Sequence, residues 1–162
     1  MRHLATLNII IPRLSARLEQ GIKKPSSYIG AWVNALTFDS AYEPFFQPPG
    51  WIVGPVWAVL YSCLAVSFST MLAVRDEVEQ STLLIALFLI QLAVNLAWPS
   101  MFNAERYLLA LGMIVVMIVF ASIYAVGVYK AAPTASMLVW PYIAWVAFAG
   151  AINAAYYLEA RS

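Results

Sequence analysis

Charge is what this 162-residue sequence has least of: Asp, Glu, Lys and Arg make up 10% of it, against about 25% in an ordinary soluble domain. Cysteine and histidine occur once each. These scarcities exclude whole classes of function. There is no His or Cys cluster with metal-ligand spacing, so no metal site is expected. No Ser-His-Asp candidate, Gly-rich phosphate loop or pair of carboxylates lies within an apolar run. The one histidine, His3, sits near the N-terminus, and Cys63 lies inside an apolar stretch. Cys63 therefore reads as a small buried hydrophobe, leaving redox compartment and disulfide pairing undetermined. A formal net charge of +1 gives no global field, and no basic groove interleaved with aromatics offers a nucleic-acid surface.

Apolar residues fill the space that charge leaves. The AVILMFWYC fraction is 63%, against about 45–50% in soluble domains. Residues 51–74, 82–104, 107–129 and 134–158 contain no Asp, Glu, Lys or Arg. Each exceeds the roughly 20 residues that a helix needs to cross about 30 Å of hydrocarbon. The separators are short and carry most of the remaining charge: Arg75, Asp76, Glu77 and Glu79, then Glu105 and Arg106, then Lys130. Connections this short make successive helices antiparallel. The fold class that follows is an all-α, polytopic helical bundle in a lipid bilayer.

The N-terminal part departs from this pattern. Residues 1–24 hold Arg2, Arg13, Arg17, Glu19, Lys23 and Lys24 around a short apolar run and Pro12. Three readings stay open for this basic tail: an interfacial amphipathic segment, a disordered tail, or a targeting peptide. Residues 25–38 would form a helix of about 20 Å, short for a full span. Whether they make a further crossing is open. Most Lys and Arg fall on the tail's side of the membrane on either reading, which places the tail in the cytoplasm. The C-terminus lies across the membrane from it if residues 25–38 span, and beside it if they do not.

The four clear spans lack any ionisable Asp, Glu, Lys, Arg or His. Such groups mark ion and proton pathways in membranes, so a proton-coupled pump, voltage sensor or charged-substrate antiporter is not expected. Function should rest on aromatic surface and neutral hydrogen bonding. Gln91 and Asn95 are four residues apart and Trp98 three further on, so all three share a helix face. Trp57 and Tyr61 form another such pair, and Tyr142, Trp145 and Ala149 a third stripe with Asn153 a turn away. These faces admit two readings: hydrogen-bonded glue between helices, or a small-molecule cavity with aromatic walls. Trp57 and Trp145 lie well inside their segments, whereas an interfacial belt would account for Trp51 and Trp98. Pro55 falls in the first turn of its helix, and Pro141 should kink the last one just before Tyr142 and Trp145. Small residues at Ala147 and Ala151, and at Gly150 and Ala154, suit close helix contacts within the bundle or with another subunit.

Three motifs in order carry a resemblance. The run 44–61, PFFQPPGWIVGPVWAVLY, resembles a P-x-W-x-P-P-x-W-x-x-G-P-x-W-x-x-L-Y signature. Residues 91–98, QLAVNLAW, are similar to a Q-L-x-x-N-x-x-W helix, and residues 141–153 to P-Y-x-x-W-x-x-F-A-x-x-x-N. On these the chain resembles the TspO/MBR family of tryptophan-rich sensory and translocator proteins across about residues 42–158.

The resemblance implies five transmembrane helices, often in a dimer. It also implies a tryptophan-walled cavity, closed by the loop between the first two helices, that takes porphyrins such as protoporphyrin IX or haem. No cofactor is intrinsic to the fold. Matched by motif position, the ligand-binding candidates are Trp57, Tyr61, Gln91, Asn95, Trp98, Tyr142, Trp145 and Phe148. Trp57 and Trp145 would be catalytic only if light- and oxygen-dependent porphyrin breakdown occurs. Phe46 stands where the family usually has Trp, and Ala41-Tyr42 where Trp-Tyr is common. Residues 152–161 only approximate a cholesterol consensus, with Ile152 in its Leu/Val place. The expectation is an integral membrane protein that binds tetrapyrroles for sensing, transport or scavenging. Its rivals are porphyrin photo-oxidation and a structural role as the helix-packing partner of another membrane complex.

Overall fold

The computed structural model describes residues 42–162. The basic tail, the 25–38 segment and Ala41 lie outside the described residues, and with them the fifth crossing and the orientation reading. Five helices follow in order: α1 (Gly50–Ala73), α2 (Ser81–Asn103), α3 (Tyr107–Val128), α4 (Pro133–Met137) and α5 (Trp140–Glu159). Among the described residues, α1, α2, α3 and the α4–α5 pair are long and apolar enough to cross a membrane. The protein is therefore an integral, multi-pass membrane protein.

Each span is apolar on both faces, so packing decides which side turns inward. On α2 the buried positions are Leu84, Phe88, Gln91, Asn95, Trp98 and Phe102, spaced four and three residues apart in turn. That 3.5-residue repeat is the seam of left-handed helix packing. On α3 the inward row is Ala110, Ile114, Met117, Ala121, Tyr124 and Val128. Outward positions such as Val59, Leu96, Leu108, Val115 and Val126 are exposed and belong against lipid tails. α3 packs on both α2 and α5, whereas α1 lies against α4 and α5. Ring contacts tie the first three helices together: Phe68 of α1 stacks on Phe88 of α2 at 4.4 Å, and Phe88 meets Tyr124 of α3 at 4.9 Å.

The ends follow local chemistry. α2 stops in a Schellman arrangement, with Arg106 N–H donating to the Met101 carbonyl and Glu105 N–H to that of Phe102. Glu105 takes the left-handed backbone, φ 58°, that lets α3 begin one residue beyond Arg106. Pro55 falls in the second turn of α1 rather than the first, because the helix already starts at Gly50. The last span is likewise not one helix kinked at Pro141. It breaks at Leu138 and Val139 into α4 and α5, and Pro141 occupies the first turn of α5. Proline has no N–H for the Met137 carbonyl, so the helix restarts just ahead of it, where the ring costs nothing. Ile143 N–H then closes the first α5 bond to Val139 at 3.1 Å.

Two sequence readings need amendment. Trp98 is only 7% exposed, whereas Trp51 is 77% exposed, so Trp51 alone of that pair suits an interfacial belt. Cys63 is half-buried rather than enclosed. The small residues divide: a Cβ on Gly150 would come within 3.2 Å of Ile114 Cγ2, so Gly150 serves close packing on α3, while Ala147 and Ala151 are exposed. Phe88→Ala should remove the ring joining three helices and lower stability by about 3 kcal/mol. A clear fall in Tm in detergent is expected, and an unchanged Tm would mean the three-ring contact contributes little.

Candidate functional site

Few polar side chains are buried among the described residues, and Ser67, Gln91, Asn95 and Asn153 among them bridge helices. Gln91 of α2 is 0% exposed, and its Oε1 accepts a 2.6 Å hydrogen bond from the Tyr142 hydroxyl of α5. One turn on, Asn95 Oδ1 accepts from the Tyr61 hydroxyl of α1 at 2.6 Å, and its Nδ2 donates to the Met117 sulfur of α3 at 3.4 Å. A further turn on, Trp98 Nε1 donates to Asn153 Oδ1 at 3.4 Å. Asn153 Nδ2 in turn donates to the Tyr107 carbonyl at 2.9 Å. The single face predicted for Gln91, Asn95 and Trp98 therefore points inward as one row of bonds to neighbouring helices. Gln91 Nε2 is the buried side-chain nitrogen that finds no hydrogen-bond partner among the described residues.

Beside this row lies an aromatic cavity. Trp57 and Trp145 line it together with Phe148, Pro48, Val53, Ala149 and Ile152. Tyr61 stacks on Trp57 at 5.3 Å and Tyr142 meets the same indole edge-on at 6.4 Å. Trp145 in turn packs on Phe148 at 5.7 Å. Three of the eight sequence candidates thus form the wall directly, and Tyr61 and Tyr142 support Trp57 from behind. Gln91 and Asn95 form the next layer through their phenol partners. Trp98 is not on the lining: it packs on Phe102 at 5.3 Å and donates to Asn153. Pro48, Val53 and Ile152 were not singled out as lining. Pro48 could have been, since it belongs to the first motif, but Val53 and Ile152 are ordinary apolar residues within apolar helices.

The free volume between these walls is about 20 Å³, far below the roughly 300–1,000 Å³ of drug-sized ligand sites. The walls therefore meet with no ligand-sized space between them. Pro48 on that lining belongs to the segment 42–49, which the Tyr156 hydroxyl of α5 holds by donating to Gln47 Oε1 at 2.8 Å. Tyr42 packs edge-on against Tyr156 at 5.4 Å, and Phe46 reaches Phe148 at 6.4 Å. Phe46, standing in place of a tryptophan, therefore still touches the cavity wall. Tyr156 is itself wedged among Phe102 and Tyr107, so the latch is fixed to the bundle. Tyr156→Phe should keep those ring contacts and lose the bond to Gln47, which is worth about 1 kcal/mol. Amide exchange across residues 42–49, read by mass spectrometry, is expected to speed up severalfold; unchanged exchange would mean that the hydroxyl does not hold the segment.

Comparison with known proteins gives the family. The model of the TspO/MBR family matches residues 12–158. Human translocator protein is 34% identical over 113 residues, covering 68% of this chain and 67% of its own. Protein CrtK of Rhodobacter capsulatus is 32% identical over 127 residues, covering 76% and 75%. Tryptophan-rich protein TspO of Archaeoglobus fulgidus is 29% identical over 136 residues, covering 81% and 87%. On the span of that match and the identity of these relatives, the chain belongs to the TspO/MBR family.

Proposed function

We propose that this protein binds a porphyrin or haem-type tetrapyrrole between Trp57 and Trp145 and uses that binding for sensing, transport or scavenging. The observation that carries the reading is that both indoles line one cavity, with Phe148 completing an aromatic wall. A flat conjugated ring presents two large apolar faces, and indole planes match such faces by area and by their quadrupole. Behind the wall, Gln91 Nε2 is a buried donor without a partner among the described residues. Leaving such a donor unpaired costs about 1–3 kcal/mol. Binding requires the cover at residues 42–49 to move, because the closed volume is too small for any tetrapyrrole. The relatives' names, translocator and tryptophan-rich, are compatible with such a role and add no ligand.

A second reading follows from the same pair of indoles: a porphyrin held against two tryptophans in a membrane is placed for light- and oxygen-dependent breakdown. The two readings separate on illumination. Protoporphyrin IX titrated in the dark should quench tryptophan fluorescence saturably, and Trp57→Phe or Trp145→Phe should weaken binding about three- to tenfold. A spectral change in light that is lost in both variants would assign photo-oxidation as well. Absence of saturable quenching in folded protein would overturn the tetrapyrrole reading.

A further inference from the structure

A second concavity lies on the lipid-facing side of the bundle, lined by none of the residues of the aromatic cavity. It is a groove of about 930 Å³ between α2, α3 and the end of α5. Its floor is apolar, formed by Val94, Leu109, Met113 and Val116, with Gly112 among them. Its rim carries Arg106, from the turn between α2 and α3, and Arg161, just beyond α5. The antiparallel path brings those two ends to the same face of the membrane. An apolar trough running into the bilayer beneath two cations at its boundary has the polarity profile of a phospholipid.

The cations are available. Among the described residues the ion pair present is Arg75 with Asp76, at the other end of the bundle, so neither Arg106 nor Arg161 is held in an ion pair. Arg161 is held in place by its neighbour: it donates to the Tyr157 hydroxyl at 3.0 Å and lies 5.5 Å from the ring centre. Tyr157 itself lines the groove. Glu105 also stands on the rim, with no ion pair to either arginine. Guanidinium groups bind phosphate oxygens through charge-assisted, often bidentate hydrogen bonds. A sterol has a single hydroxyl and no use for two guanidiniums. Gly112 leaves the trough wide, since a Cβ built there meets nothing within 4 Å.

We propose that this groove is a site for one anionic phospholipid, its phosphodiester between Arg106 and Arg161 and one acyl chain along Leu109, Gly112 and Val116. The test is native mass spectrometry of the full chain in non-ionic detergent, titrated with dioleoylphosphatidylglycerol, dioleoylphosphatidylcholine or cholesterol. One phosphatidylglycerol per chain should be retained in preference to the other two lipids. Arg106→Gln and Arg161→Gln should each weaken retention about fivefold, while Arg75→Gln at the opposite end leaves it unchanged. Gly112→Leu fills the trough without meeting a packed neighbour, so it should abolish retention at an unchanged Tm. Equal retention of phosphatidylcholine, preference for cholesterol, equal loss with Arg75→Gln, or full retention by Gly112→Leu would each overturn the site.

Discussion

Everything in this bundle depends on one constraint: surrounded by lipid, a buried amide or phenol has no water to bond and finds its partner on another helix. Tyr142 with Gln91, Tyr61 with Asn95, Asn153 with the Tyr107 carbonyl and Ser67 with the Ala135 carbonyl at 2.7 Å each join two different helices. Lipid tails are as apolar as leucine, so burial alone gives helices little reason to choose one rotation or register. These short bonds make the choice. Once Gln91 and Asn95 are committed to their phenols, the repeat of three and four residues along α2 turns Leu84, Phe88, Trp98 and Phe102 inward as well. The same bonds place Tyr61 and Tyr142 around Trp57, and so build the back of the aromatic cavity.

The segment that leads into α1 is fastened beside the cavity. Gln47 and Phe46 are fastened to α5 by Tyr156 and Phe148, and Tyr156 is clamped between rings from α2 and α3. A hydrogen bond of this kind contributes about 1 kcal/mol, and an edge-on ring contact a comparable amount. The cover is thus held by a few contacts that a ligand of modest affinity could replace.

How much of this the sequence discloses depends on contrast. Spans were legible because charge is confined to Arg75–Glu79, Glu105-Arg106 and Lys130. The inward face of α2 was legible because Gln91, Asn95 and Trp98 stand out from an apolar background at helical spacing. The inward face of α3 was not, since Ile114, Met117 and Ala121 differ little in polarity from the lipid-facing Val115 and Val119. For the same reason Val53 and Ile152 could not be read as lining residues. Trp98 misled as a belt residue because its distance from the end of α2 suits an interface, whereas its N–H is used by Asn153 inside. Pro141 was rightly read as an interruption, but a proline ends one helix or begins the next depending on where the carbonyls find donors. That is a tertiary matter.

The central claim is that the aromatic cavity is real but shut, and opens at residues 42–49 to admit a flat ring. Spin labels at Phe45→Cys and Ala151→Cys in a Cys63→Ser background would report on it directly, both positions being exposed. Pulsed electron resonance should give a narrow distance distribution without ligand and a shift to longer distances at saturating protoporphyrin IX. Identical distributions with the porphyrin demonstrably bound would contradict the account and place the ligand elsewhere on the protein.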